Sequence, residues 1–156
     1  MIRPATVKDA AGIGEIWNAA IRDTTITFNS IEKTDADIVG VIQSENPFFV
    51  WDEGQIMGFT TYFPFRAGIG YLHTVEYSIL LHPDAWGKGI GRVLVAHVAD
   101  HARAAGKHSL IGVVCGENAA GLNFHTAVGF IHRATLPEVG FKFGRWLDAV
   151  FLQKRL

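Results

Sequence analysis

The sequence predicts an α/β domain with a mixed sheet flanked by helices. Apolar residues recur at helical spacing near the N-terminus and again beyond the middle of the chain, and β-rich runs fill the stretch between. At mid-chain a strand, a glycine-rich turn and a long helix follow one another directly.

After a short apolar start, Thr6 and Asp9 have the spacing of a capping box, and Ile13, Ile16, Trp17, Ala20 and Ile21 continue at helical intervals. The Thr-rich stretch from Asp23 to Ile31, with Phe28 inside it, reads as a loop. Thr34 and Asp37 repeat the cap ahead of Ile38, Val41 and Ile42 and predict a second, shorter helix. Two β-rich runs, Phe48 to Trp51 and Gln55 to Phe63, flank Asp52-Glu53-Gly54, a composition that favours a tight hairpin. A strand over Tyr71 to Leu81 ends at His82-Pro83-Asp84. Ile90, Val93, Leu94, Val98 and Ala102 then form the buried stripe of a helix closed by Gly106. Leu110 to Cys115 is a short apolar strand, and Ala119 to Val128 a helix ended by Gly129. Beyond it come a strand near Phe130, an irregular stretch through Gly140 and Gly144, and a last strand from Trp146 to Leu152.

At 156 residues, 49% hydrophobic and 19% charged, the chain has the size and composition of one fully packed domain, residues 1–156. A formal net charge of −1 supplies no long-range pull toward phosphate backbones or anionic lipid, so neither nucleic acid nor membrane is an expected partner. Cys115 is the only cysteine, which excludes an intramolecular disulfide and a cysteine-rich zinc site. No apolar run approaches the roughly 20 residues of a membrane span, and the N-terminus lacks an apolar signal core. A cytoplasmic protein is the expectation.

Gly87, Gly89 and Gly91 stand at alternate positions between a strand and a helix. Such a turn points several backbone N–H groups outward with no side chain in front of them, and the helix dipole adds positive potential at the same end. Pyrophosphate is the natural guest. A tight turn that needs positive φ would use the same glycines. A Rossmann fingerprint belongs after the first strand, with an acidic residue about 20 positions on, where this chain has Lys107-His108-Ser109. A P-loop ends in Gly-Lys-Ser or Gly-Lys-Thr, and this turn ends in Gly91-Arg92-Val93.

The segment Trp86-Gly87-Lys88-Gly89-Ile90-Gly91 resembles the pyrophosphate motif of the GCN5-related N-acetyltransferases (GNAT), which is Gln or Arg, two residues, Gly, one residue, then Gly or Ala. Trp86 departs from the usual Gln or Arg. The likeness extends over nearly the whole chain. It narrows to the phosphinothricin and methionine sulfoximine N-acetyltransferase branch through Tyr71 to Ser78, Asn123 to Phe130 and Glu138 to Asp148. The resemblance implies a GNAT fold with a mixed, mostly antiparallel sheet. It implies acetyl-CoA as co-substrate, no metal, a small-molecule amine as acceptor, and a homodimer in which the late aromatic loop reaches the pocket from the neighbouring subunit. It also assigns cofactor contacts to Ile79, Leu80 and Leu81 through their backbone, to Gly87, Lys88, Gly89, Ile90, Gly91 and Arg92 at the turn, and to Asn118.

Acetyl transfer needs a neutral amine, and a typical primary amine, with a pKa of about 8 to 10, is mostly protonated near neutrality. Glu76 stands inside the apolar strand Val75 to Leu81, where desolvation would raise its pKa toward the working range, and is the candidate general base. A salt-bridged Glu on a solvent-facing strand position is the alternative. His125 occupies a family position often held by Tyr and filled by His in the phosphinothricin branch, which implies a catalytic part beside the departing thiolate. A packing or helix-capping His would look the same in sequence. Phe28, Arg66, Val75, Glu76 and Tyr77 are the expected acceptor contacts. Arg66 is the donor for a carboxylate or tetrahedral polar head, and Leu72 departs from the Arg of several family members. The expected activity is acetylation of phosphinothricin, methionine sulfoximine, methionine sulfone or a similar amino acid analogue. The alternatives are acetylation of a protein N-terminus or another small amine, and a noncatalytic acyl-CoA-binding module.

Overall fold

In the computed structural model, which describes all 156 residues, the chain forms seven strands and four α-helices. They are β1 (Ile2–Pro4), α1 (Ala10–Asp23), α2 (Asp35–Ile42), β2 (Phe48–Asp52), β3 (Ile56–Pro64), β4 (Thr74–Leu81), α3 (Ile90–Ala104), β5 (Ser109–Cys115), α4 (Ala119–Ala127), β6 (Ile131–Lys142) and β7 (Arg145–Arg155). One sheet holds all the strands in the order β1-β2-β3-β4-β5-β7-β6. Every neighbouring pair is antiparallel except β4 and β5, so the mixed sheet expected from the element order forms, mostly antiparallel as the resemblance implies.

Period-two alternation sorts the side chains between two cores. Phe48 and Val50 of β2, Phe59 of β3 and Leu80 of β4 meet Ile13 and Ile16 of α1 and Ile38 of α2 on one face. Phe49, Tyr62, Val75 and Tyr77 meet Val95, Val98 and Ala102 of α3 on the other, with Leu110 and Leu152. Phe59 and Ile13 are wholly enclosed, which for side chains of this size contributes roughly 2 to 3 kcal/mol each relative to exposure. Helix α2 starts where its cap was expected: Asp37 N–H donates to Thr34 Oγ1 at 3.1 Å, and Thr34 N–H to Asp37 Oδ2 at 2.8 Å. No helix is long and apolar enough to cross a membrane.

The N-terminal segment, read only as an apolar start, forms the edge strand β1 against β2, with Ile2 opposite Trp51. Arg3 on this strand joins three parts of the fold. Its guanidinium donates to Asp9 Oδ1 and Oδ2, both at 2.8 Å, and to Asp52 Oδ2 at 2.8 Å. Asp9 also accepts Thr6 N–H at 2.7 Å. The Arg3 guanidinium and these N–H donors hold the Asp9 pKa down to about 2. The folded state therefore binds this proton more weakly than the unfolded chain. The stability so gained is present above about pH 4 and is lost as pH falls through about 2. Asp9→Asn is expected to cost about 2 kcal/mol in urea unfolding near neutrality, a difference that closes as the pH is lowered through the same window.

The C-terminal region departs from the sequence reading. The glycine-rich stretch is not irregular: it is the distal half of β6, interrupted by bulges at His132/Ala134 and Leu136/Gly140. Pro137 cannot donate to the ladder, and Glu138, at φ 55, is held by its N–H to Asp148 Oδ1 at 2.9 Å. Phe143 and Gly144, at φ 53 and 73, then make a two-residue turn between Lys142 and Arg145. Two consecutive positive φ angles are the signature of the turn that suits strand twist. The strand expected to start at Tyr71 starts at Thr74, because Ile69–Tyr71 forms a 3-10 turn.

Candidate active site

The only parallel pairing in the sheet is incomplete. Strands β4 and β5 pair from Thr74 with Ser109 to Tyr77 with Gly112, and there they part. Beyond that point β4 keeps β3 on its other side, Ser78 opposite Thr61 through to Leu81 opposite Gly58. Likewise β5 keeps β7, from Val113 with Phe151 to Cys115 with Ala149. The facing edges of Ser78–Leu81 and Val113–Cys115 are left with unpaired peptide groups, a slot able to accept the amides of an extended ligand. Ile79, Leu80 and Leu81 lie along it, their side chains in or against the cores.

Beyond the end of β4 the chain turns through Gly87 and Gly89, at φ 74 and 79, into α3. Nothing lies within 4 Å of where a Cβ would stand at either glycine. The third glycine has a different purpose: a Cβ on Gly91 would meet Leu81 and Phe124 side chains at 3.2 Å, so it permits close packing of the helix start. The N–H groups of Gly87, Gly89, Ile90, Gly91 and Arg92 donate to no protein acceptor. Free donors, open space and the positive end of α3 fit a pyrophosphate. The exposed Lys88 and Arg92 add cations at the same turn.

Asn118 caps α4, its Oδ1 accepting Gly121 N–H at 2.9 Å, and it keeps its amide N–H₂ group without a protein acceptor. His125, on the same helix, is buried. Its Nδ1 lies 2.7 Å from the Gly121 carbonyl and its Nε2 2.5 Å from the Tyr77 hydroxyl. The carbonyl can only accept, so Nδ1 carries the proton and Nε2 accepts from Tyr77. Burial lowers the His125 pKa and favours this neutral form, and burial likewise pushes the Tyr77 hydroxyl up. Both rings press on Gly112, where an added Cβ would lie 3.1 Å from Tyr77 and 3.2 Å from His125. The pair thus stands at the apex of the slot.

Glu76 faces the other way, next to Phe63 on β3 and Ile111 on β5. Its half-buried carboxylate has no ion-pair partner, and desolvation alone raises its pKa. The salt-bridged alternative therefore does not describe it. Val75 and Tyr77, expected beside Glu76 as acceptor contacts, turn into the opposite core, because neighbouring strand residues point to opposite faces. What they offer on the Glu76 side is backbone. Arg66 lies exposed in the loop after β3 with its guanidinium 5.6 Å from the Tyr71 ring. Phe28 packs across Gly140, where a Cβ would come within 2.5 Å of its ring. The β6–β7 hairpin therefore meets the early loop of its own chain.

Sequence reasoning missed three members of this region. Lys142 is buried and donates to the Thr24 and Thr27 carbonyls at 2.6 and 2.7 Å. Arg145 grips Glu117 through bonds of 2.6 and 2.7 Å. Both lie in the Glu138 to Asp148 stretch that carries the resemblance, but no local pattern gives Lys142 or Arg145 a role, and only their place at the hairpin's end does so.

Known proteins resemble this chain in sequence and in fold. The L-amino acid N-acyltransferase MnaT of Escherichia coli (strain K12) is 38% identical, over 99% of this chain and 93% of its own length. The L-methionine sulfoximine/L-methionine sulfone acetyltransferase of Salmonella typhimurium is 36% identical, over 99% of this chain and 94% of its own. The crystal structure of a GNAT superfamily phosphinothricin acetyltransferase from Sinorhizobium meliloti, in complex with acetyl-CoA, superposes with a TM-score of 0.93 at 31% identity, covering 100% of this chain and 88% of that one. The acetyltransferase (GNAT) family profile matches residues 14–130, and with the parted strands and the glycine turn lying inside that span, the chain belongs to the acetyltransferase (GNAT) family.

Proposed function

We propose that the protein is an acetyl-CoA-dependent N-acetyltransferase that acetylates the amino group of a small amino acid analogue such as phosphinothricin, methionine sulfoximine or methionine sulfone. The observation that carries this reading is the slot between β4 and β5, with free N–H donors at its outer end and Glu76 on the sheet face beside its apex. The substrate class rests on the named activities of the similar proteins from Salmonella typhimurium and Sinorhizobium meliloti. Acetyl-CoA, when bound, supplies an activated thioester; the turn Gly87 to Arg92 would hold its pyrophosphate, and the backbone of Ile79 to Leu81 its pantetheine amides.

Glu76 takes the proton of the acceptor ammonium, directly or through water. The freed amine forms its bond to the carbonyl carbon, the C–S bond breaks, the electron pair leaves with sulfur as the thiolate of CoA, and the thiolate takes up the second proton that the nitrogen sheds in becoming an amide. A neutral amine and a good leaving group call for no metal. In this reading the Tyr77–His125 pair serves the departing thiolate: the Tyr77 hydroxyl, which donates to His125 Nε2 in the resting site, turns from Nε2 to the sulfur as the thiolate forms. His125→Phe keeps a ring in the same space and is expected to lower kcat about tenfold or more with acetyl-CoA affinity within twofold; unchanged turnover would reduce His125 to packing.

Phe28 and the backbone on the Glu76 face would wall the acceptor pocket. A homodimer in the cytoplasm completes the reading; its dimer half is supported by Phe141, Phe143 and Trp146, which stand more than half exposed on the hairpin. The test is acetyl-CoA consumption across phosphinothricin, methionine sulfoximine, methionine sulfone, free amino acids and peptides. Turnover confined to peptides would favour acetylation of protein N-termini, and cofactor binding without turnover on any amine would leave an acyl-CoA-binding module.

A further inference from the structure

Lys142 is the last residue of β6, only 3% exposed, and no carboxylate lies on its ammonium. An ammonium taken out of water at such a place is costly unless its donors are used. Here they go to the carbonyls of Thr24 and Thr27, the first and fourth residues after α1. The segment from Thr24 to Lys33 has no helix or strand to fix its path, so these carbonyls have no ladder to join. Two further contacts converge on the same stretch. Gly140, two positions before Lys142, leaves room for the Phe28 ring. Glu117, held by Arg145, accepts the Thr25 hydroxyl at 3.2 Å.

We propose that Lys142 is a positioning residue for the acceptor: it ties the Thr24 and Thr27 carbonyls to the β6–β7 hairpin, seats Phe28 on Gly140, and thereby sets the affinity for the amine. The inference rests on the reading of Phe28 as a wall of the acceptor pocket. Lys142 makes no hydrogen bond to the glycine turn or to Glu76, so the pyrophosphate cradle and the base do not depend on it directly.

Steady-state kinetics with L-methionine sulfone as the varied acceptor, and calorimetry with acetyl-CoA, test this on the full-length protein. Lys142→Met keeps the apolar stem and removes the donors. It is expected to raise the acceptor KM about tenfold or more, with kcat within about threefold and acetyl-CoA affinity unchanged. Lys142→Gln, which retains one donor group, is expected to fall between. Gly140→Ala displaces the Phe28 ring while keeping Lys142 and is expected to give the same split; should Lys142→Met fail to fold, this variant decides. Phe28→Ala is the benchmark. If it raises the acceptor KM while Lys142→Met and Gly140→Ala leave it unchanged, the positioning role is overturned. If Phe28→Ala itself leaves the acceptor KM unchanged, the reading of Phe28 fails and the inference falls with it. A parallel loss of kcat and of acetyl-CoA binding in the Lys142 variants would mark a merely structural lysine and overturn the proposal as well.

Discussion

Replacing Glu76 by glutamine is expected to lower turnover at neutral pH by about 10² to 10⁴-fold, or roughly 3 to 5 kcal/mol of barrier, with acetyl-CoA binding intact. Glutamine keeps the shape and hydrogen-bonding reach of the side chain and loses its basicity. The carboxylate has no ion pair to lose, so nothing else in the fold is broken by the change. Two pH-dependent readouts accompany the loss. In the wild type the rate should rise with pH through the Glu76 pKa, which burial holds above the ordinary carboxylate value. The variant should instead recover rate toward the amine's own pKa, where solvent supplies the neutral nucleophile.

The stability sign also follows. A carboxyl with a raised pKa binds its proton more tightly in the folded state, so its contribution is most favourable at low pH and is lost as pH rises through the folded value. At neutral pH the desolvated charge works against folding. Glu76→Gln should therefore melt at the same temperature as the wild type or higher while losing activity. A rate and pH profile matching the wild type would remove Glu76 from the chemistry. Loss of acetyl-CoA binding along with turnover would mean that β4 itself had been disturbed.

Gly89→Asp is the second large effect, and it acts on the cofactor. Gly89 lies in the left-handed region at φ 79, with open space where a side chain would go. A Cβ there strains the backbone by about 1 kcal/mol, which Gly89→Ala measures by itself. The aspartate adds a charge facing the pyrophosphate. Two like charges about 5 Å apart repel by roughly 3 kcal/mol at an effective dielectric of about 20. Solvent screening at this exposed turn reduces that figure, so acetyl-CoA should bind about 10 to 100-fold more weakly than to the wild type. Calorimetric titration of the three proteins separates strain from charge. Equal affinities for Gly89→Asp and wild type would show that the phosphates bind elsewhere.

What the sequence determined by itself lies within a few residues along the chain. The cap of Thr34 on Asp37, the alternation of Phe48, Phe49 and Val50 between two cores, and the turn from Gly87 to Gly91 each follow from neighbours whose spacing matches a helix or strand period. For the same reason Glu76 was legible as a lone carboxyl in an apolar strand. Tertiary structure alone decided how far β4 and β5 stay paired, since neither strand's composition changes at Tyr77 or Gly112. It also decided which face each member of the strand uses, setting Glu76 apart from Val75 and Tyr77 and joining Tyr77 to His125 across 48 positions. The most distant of these links, Lys142 to the Thr24 carbonyl, spans 118 positions. A bond between groups so far apart leaves no local pattern, because it depends on where the bulged β6 strand and its two-residue turn carry the lysine, and that path is set by pairing with β7.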